Sequence, residues 1–216
     1  MSVTLSCDAI LFDLDGVLVD STEVVQRTWH RWAALRGVRD PDLVQRAHGR
    51  RSVETVRVVA PHLDATREVE WLSTIELADL EGIVALPGAS SVFQTVTDSQ
   101  RAVVTSGGRE LARRRLEHVG LPVPNVLIAA EDVSEGKPSP EGYLQGALRL
   151  GRSPSRCVVV EDTPAGVQAG RAAGATVIAL STTFPKEALS GADVVVDSLA
   201  SVQFGAGERE LVLRVG

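Results

Sequence analysis

Six short apolar runs, most of them without polar alternation, constrain this chain more than any other feature: 9–12, 102–105, 126–129, 157–160, 176–180 and 194–196. A strand with one wet face alternates apolar and polar residues, so unbroken runs read as parallel strands covered on both faces. Helical periods lie between them. Leu111, Ala112, Leu116 and Val119 share one stripe, and Tyr143, Leu144, Ala147 and Leu148 another. Gly120, Gly151 and Gly174 each follow a helical stretch, where a left-handed C-cap needs no Cβ. Ser139-Pro140 and Thr163-Pro164 each offer an N-cap residue with proline at the first helical position. Alternating strand and helix predict a doubly wound α/β parallel sheet with right-handed crossovers. The tail, 202–204 and 211–214 around Gly205-Ala206-Gly207, reads as an added hairpin.

One interval breaks the alternation. Residues 17–85 show only amphipathic helix patterns, with Val25, Trp29 and Trp32 on one face and Trp71, Ile75 and Ala78 on another. Gly37, Pro41 and Pro61 separate the helices. A crossover rarely needs so many residues, so 17–85 is expected to form a small α-helical cap subdomain. Residues 1–16 and 86–216 then form the α/β core.

Composition narrows the partners. The 216-residue chain is 44% hydrophobic and 23% charged, ordinary for a globular chain that buries a core. Lys plus Arg number 22 against 28 Asp plus Glu, a net charge of −6, which disfavours non-specific binding to nucleic acid or anionic membrane. No apolar run approaches the roughly 20 residues that span a bilayer. Asp8, Asp13 and Asp15 stand where a signal peptide would need a basic start and an apolar stretch. Cys7 and Cys157 each precede an apolar run and read as small buried thiols in a reducing compartment. A cytoplasmic monomer with a small-molecule partner is expected.

The first strand ends Phe12-Asp13-Leu14-Asp15-Gly16, an abrupt switch from apolar residues to two carboxylates. Ligands bind at that edge of open α/β sheets. A spacing of two puts both carboxylates on one side while the chain stays extended. They repel unless a cation lies between them or one holds a proton, so the pair suits metal binding or acid–base work. Taken alone, it fits a pair of solvated turn aspartates equally well. The second strand ends Thr105-Ser106-Gly107-Gly108, a hydroxyl with unhindered backbone N–H groups at a helix start, suited to phosphate oxygens or to a plain N-cap. Gly136-Lys137-Pro138 holds a lysine in a loop after the third. The fourth runs into Glu161-Asp162-Thr163-Pro164-Ala165-Gly166. Carboxylates on two strands, a hydroxyl on another and a lysine after another converge on one site. Hard oxygen ligands point to magnesium.

These stretches, Asp13-Leu-Asp-Gly-Val-Leu-Val-Asp-Ser21, Thr105-Ser-Gly-Gly108, Gly136-Lys-Pro-Ser-Pro140 and Glu161-Asp-Thr-Pro-Ala-Gly166, resemble the four ordered motifs of the haloacid dehalogenase (HAD) superfamily. The resemblance implies Asp13 as nucleophile and metal ligand, and Asp15 as general acid and base whose carbonyl also binds magnesium. It implies that Ser106 and Lys137 hold the phosphoryl group, with Gly107 beside them. Asp162 would be the remaining carboxylate ligand, with Glu161 next to it in the metal site as a supporting group. The implied activity is a magnesium-dependent phosphatase working through an aspartyl phosphate, which splits one hard displacement into two easier ones.

Rivals fare worse. Dehalogenases of this superfamily need no acid two residues after the nucleophile. A P-loop fails because Glu131 stands where its first glycine belongs, and there is no HExxH. The β-phosphoglucomutases are similar in cap and motifs, but carry a histidine early in the first cap helix where this chain has Val25. A non-catalytic sugar-phosphate binder would not need every catalytic residue. Within the expected cap, His48-Gly49-Arg50-Arg51-Ser52 joins two helix patterns and is similar to loops of the sugar-phosphatase branch, which includes 2-deoxyglucose-6-phosphatases and hexitol phosphatases. That resemblance implies substrate contacts from His48, Gly49, Arg50 and Arg51. Trp29 and Trp32 could stack on a sugar, though their helical spacing reads first as interior packing.

Overall fold

All six apolar runs become neighbouring strands of one parallel sheet in the computed structural model, which describes residues 3–206 and 211–215. Along the chain the strands are β1 (Val3–Cys7), β2 (Ala9–Phe12), β3 (Val19–Asp20), β4 (Val84–Ala85), β5 (Arg101–Val104), β6 (Leu127–Ile128), β7 (Cys157–Glu161), β8 (Thr176–Leu180), β9 (Val194–Val196), β10 (Val202–Ala206) and β11 (Leu211–Val215). The parallel sheet has the order β6-β5-β2-β7-β8-β9. Strand β2 pairs with β5 on one side and β7 on the other, so the winding reverses at its carboxyl end. That is the crevice where doubly wound sheets bind ligands.

The helices are α1 (Thr22–Arg36), α2 (Leu43–Ala47), α3 (Ser52–Val59), α4 (Ala65–Ala78), α5 (Ala89–Thr95), α6 (Arg109–His118), α7 (Glu141–Arg149) and α8 (Pro164–Ala172). Alternate strand residues go to opposite faces, and both faces are covered. Ile10, Phe12, Val103, Val158 and Ile178 pack with Phe93 of α5 and Leu116 of α6. Leu11, Ala102, Val159 and Val177 pack with Tyr143 of α7 and Ala169 of α8. Each large apolar side chain buried this way contributes about 1.5–3 kcal/mol. The expected left-handed caps are present, with φ of +73° at Gly120, +67° at Gly151 and +83° at Gly174. Thr163 Oγ1 accepts from the Gly166 N–H at 3.1 Å, capping α8.

Helices α1 to α4 build a separate apolar cluster from Trp29, Trp32, Leu43, Ala47, Val56, Ala60 and Leu72. The two indoles meet edge to face at 5.4 Å. This interval is not strand-free as the sequence suggested, because β3 and β4 pair antiparallel at its two ends. Strands of two residues are too short to show a period.

Four further details depart from the sequence reading. On α4 the buried residues are Glu68, Leu72 and Glu76, one position round from the expected Trp71, Ile75 and Ala78 stripe. Glu68 is drawn in by Trp32 Nε1 at 2.7 Å and Arg36 Nε at 2.8 Å. On α7, Leu144 and Leu148 are 41% and 77% exposed, and the packed face is Tyr143, Gly146 and Ala147. Proline 140 occupies the cap position of α7, one residue later than Ser139. Finally, the tail hairpin is present as β10 and β11, but β11 also pairs with the overlooked β1. Residue 207 and its neighbours to 210 lie outside the described residues. Cys7 and Cys157 are buried and free. Burial pushes their thiols up to about 12 and about 11, which leaves them unreactive near neutrality. Among the described residues, no helix is long and apolar enough to cross a membrane.

Candidate active site

Strand β2 delivers Asp13 into the crevice, where it is 4% exposed and its N–H donates to Val160 O at 2.9 Å. Lys137, on the loop before α7, reaches across the strand ends. Its Nζ donates to Asp13 Oδ1 and, at 2.5 Å, to Glu161 Oε1. Glu161 is fully buried at the end of β7. Its Oε1 also accepts from Tyr143 OH at 2.8 Å, and its Oε2 accepts from the N–H groups of Asp162 and Thr163 and from Thr163 Oγ1 at 2.9–3.1 Å. Both oxygens are therefore committed to protein donors.

Asp162 differs. It is 1% exposed and its Oδ1 has no hydrogen-bond partner. Oxygens of Asp13, Glu161 and Asp162 lie within 4.8 Å of one another. An orphaned buried carboxylate oxygen beside further carboxylates is what a hard divalent cation would satisfy. The residues fit such an ion, with Asp13 and Asp162 free to hold it and Glu161 occupied elsewhere. Gly16 lets the pair approach: its φ is +81°, and a Cβ there would fall 1.9 Å from Asp162 Oδ2.

Charge follows geometry. Burial, with Glu161 and Asp15 nearby, raises the Asp13 carboxyl to about 7 despite Lys137. Burial and the charges of Glu161 and Asp13 raise Asp162 well above its ordinary value. Burial opposes the Lys137 charge, but the Asp13 and Glu161 carboxylates outweigh it and the ammonium shifts upward. For Glu161 burial is outweighed by Lys137 and the backbone donors, and its carboxyl is lowered.

Asp15 is half-buried, and its Oδ1 accepts from Ser21 Oγ and from Arg115 Nη1, both at 2.7 Å. Arg115 Nη2 in turn lies 3.8 Å from Glu76 Oε1 on α4. Burial, with Asp15 adding and Arg115 opposing, raises the Glu76 carboxyl. Sequence reasoning missed Ser21, Arg115, Glu76 and Tyr143. The available signal was an arginine in the middle of the apolar Leu111–Leu116 stripe, and two glutamates flanking Leu72 at helical spacing.

A cavity of about 70 Å³ lies between these groups and helices α1 to α4. Of the expected substrate loop, His48, Gly49 and Arg50 line it. His48 Nδ1 lies 2.7 Å from Val44 O and must donate to it, while its buried Nε2 has no hydrogen-bond partner. Gly49, at φ +73°, presses on Thr163, where a Cβ would come within 2.5 Å of Oγ1. Ser106 lines the cavity, but its hydroxyl donates to Gly49 O at 2.9 Å. The Gly107 N–H, expected to be open, donates to Thr105 Oγ1 at 3.0 Å. Arg51 turns away from the cavity. Its Nη1 donates to Val133 O and Ser134 O at 3.0 and 2.8 Å, on the loop that carries Lys137.

The chain is similar to known proteins over most of its length. The family profile described as "Hydrolase: haloacid dehalogenase-like hydrolase" matches residues 7–174. Hexitol phosphatase A of Escherichia coli (strain K12) is 40% identical over 203 residues, covering 92% of this chain and 94% of its own. 2-Deoxyglucose-6-phosphate phosphatase 2 of Saccharomyces cerevisiae is 35% identical, covering 91% of this chain and 90% of its own. A crystal structure of β-phosphoglucomutase from Clostridium difficile superposes with a TM-score of 0.80 at 23% identity, covering 91% and 93% of the two chains, and shares the fold.

Proposed function

We propose a function from a firm premise: the chain belongs to the haloacid dehalogenase-like hydrolase family. It is a phosphoric monoester hydrolase, and its curated relatives support sugar or sugar-alcohol phosphates as the substrate class. The observation that carries the reading is Asp13 at the β2 switch point, bound by Lys137 and beside the orphaned Asp162 oxygen.

In this reading Asp13 attacks phosphorus, the ester P–O bond breaks, and an aspartyl phosphate forms. Asp15 gives a proton to the leaving alkoxide, then takes one from the attacking water, and orthophosphate leaves as Asp13 is regenerated. To do so, Asp15 turns from Ser21 and Arg115 toward the bridging oxygen. Lys137 and the Ser106 hydroxyl steady the phosphoryl oxygens. Magnesium, held by Asp13, Asp162 and the Asp15 carbonyl, would neutralise phosphoryl charge and let the carboxylates stand together. Glu161 positions Lys137 rather than binding the metal.

Helices α1 to α4 serve as a cap. Deep ligand pockets run to about 300 Å³ and more, so a cavity of about 70 Å³ supports a closed state that opens to admit substrate. Val25, not an imidazole, faces the cavity, which supports transfer to water over the mutase alternative. The two buried free thiols support a reducing, cytoplasmic setting.

The test is phosphate release from p-nitrophenyl phosphate. We expect none in excess chelator and full recovery with magnesium. With glucose 1-phosphate and a bisphosphate primer, free phosphate should outpace glucose 6-phosphate. Metal-independent turnover, or rapid isomerisation with little phosphate, would overturn the reading.

A further inference from the structure

Two buried charged groups face each other across the cavity at a distance too long for a hydrogen bond. Arg115, on α6, is 3% exposed, and Glu76, on α4, is 9% exposed. Both line the cavity, and Arg115 Nη2 lies 3.8 Å from Glu76 Oε1. Arg115 spends Nη1 on Asp15 at 2.7 Å, while its Nε and Nη2 have no hydrogen-bond partner. Buried guanidinium donors without acceptors are unfavourable, and rare without a ligand or water to take them up. Neither group is needed for the displacement at phosphorus, which Asp13, Asp15 and Lys137 perform.

We infer that Arg115 and Glu76 select neutral polyol and sugar monophosphates by holding one leaving-group hydroxyl between them, and that they reject esters carrying a second negative charge. The inference rests on the phosphatase reading above and names what that site prefers. A hydroxyl is both acceptor and donor. With its oxygen about 2.8 Å from each group, it accepts from Nη2, donates to Oε1 and sits beside the 3.8 Å gap. An ester lacking a hydroxyl there leaves Nη2 and Oε1 without a hydrogen bond between them, the situation in which polar sites discriminate most strongly. Charge sharpens the choice. A carboxylate or second phosphate in the hydroxyl's place can accept from Nη2 but meets repulsion at Oε1.

The test compares kcat/KM on sorbitol 6-phosphate and on phosphoglycolate, both measured at pH 8. Glu76→Gln should lower the first about tenfold and raise the second about tenfold, a shift of about a hundredfold in their ratio. Glu76→Asp keeps the charge but withdraws the oxygen, so sorbitol 6-phosphate should suffer while phosphoglycolate stays poor. Independently of turnover, calorimetric Kd for sorbitol 6-phosphate should weaken about tenfold from Asp13→Asn to the Asp13→Asn, Glu76→Gln double variant. Equal changes on both esters, or an unchanged Kd, would overturn the role of the pair. No phosphate from either ester or from p-nitrophenyl phosphate with the wild-type protein would overturn the phosphatase reading, and this inference with it.

Discussion

On the core side of the cavity Glu161 is fully buried and receives five hydrogen bonds, while on the α1–α4 side Arg50 is exposed and Gly49, packed on Thr163, accepts one hydrogen bond from a serine hydroxyl. Among the described residues, the side-chain bonds that join α1–α4 to the loops at the sheet edge include Ser106 to Gly49 O, Arg51 to two loop carbonyls, and the Gly136 N–H to Glu54, beside the longer Arg115–Glu76 ion pair. At about 0.5–1.5 kcal/mol net each, such a seam can part on the timescale of turnover. The core network cannot loosen so cheaply, because every member is buried with a charged partner. In the proposed function, the rigid sheet edge suits the chemistry and the looser seam suits the admission of substrate.

The largest effect should come from the core. Asp13→Asn leaves Lys137 its Glu161 partner and should fold normally, yet lose at least about a thousandfold in kcat, because an amide is a poor nucleophile. Circular dichroism and single-turnover assays check both halves. Retention of even a tenth of the activity would place the nucleophile elsewhere.

Glu161→Gln comes next, and it tests whether the core side is rigid by design. One end of the amide must present an NH2 group, either to Lys137 and Tyr143 or to the donors of Asp162 and Thr163. Breaking a buried charge network typically costs about 3–5 kcal/mol, so melting should fall by roughly 10 °C. We expect kcat to drop by about a hundredfold as Lys137 loses its fixed position. A variant that melts like wild type would dissolve the contrast between the two sides.

The same contrast separates what the sequence revealed from what it hid. The six core strands and the four motifs were legible because each is a local pattern: an unbroken apolar run, then a carboxylate, hydroxyl or lysine at its end. Asp13, Lys137 and Asp162 therefore meet as expected. Arg115 and Glu76 were hidden because they lie 39 residues apart in sequence, and a charged residue on an apolar stripe does not say what it will face. The direction of Arg51 was hidden for a similar reason. Its place in a basic loop suggested a sugar contact, but which way it turns depends on the carbonyls of Val133 and Ser134, far away in sequence. Strand β1 was readable in principle, since Val3, Leu5 and Cys7 alternate with polar residues.

At the seam itself, Arg51→Ala removes two donor contacts to those carbonyls and should favour the open state. We expect KM to rise about three- to tenfold with little change in kcat, and to rise alike for a sugar phosphate and for p-nitrophenyl phosphate. Equal sensitivity distinguishes a hinge clasp from a substrate contact. A loss confined to the sugar ester would return Arg51 to the binding loop.

The smallest effect should appear in acid, on the loop that Arg51 grips. Glu141, at the start of α7, accepts from Ser134 N, Ser134 Oγ and Glu135 N at 2.7–3.0 Å. Those bonds, the Ser134 hydroxyl first, lower its carboxyl from 4.5 to about 2. A folded value below the unfolded one means that the unfolded chain takes up the proton first as pH falls. The stabilisation is therefore fully present above about pH 4.5 and is lost between there and about pH 2. The group is exposed to solvent, so the effect is small. Glu141→Gln should melt a few degrees below wild type at pH 7, and the gap should close as both are titrated from pH 4.5 toward pH 2. A gap that persists unchanged at the lowest pH would mean that these donors do not distinguish carboxylate from carboxylic acid, and that the core's grip on the loop lies elsewhere.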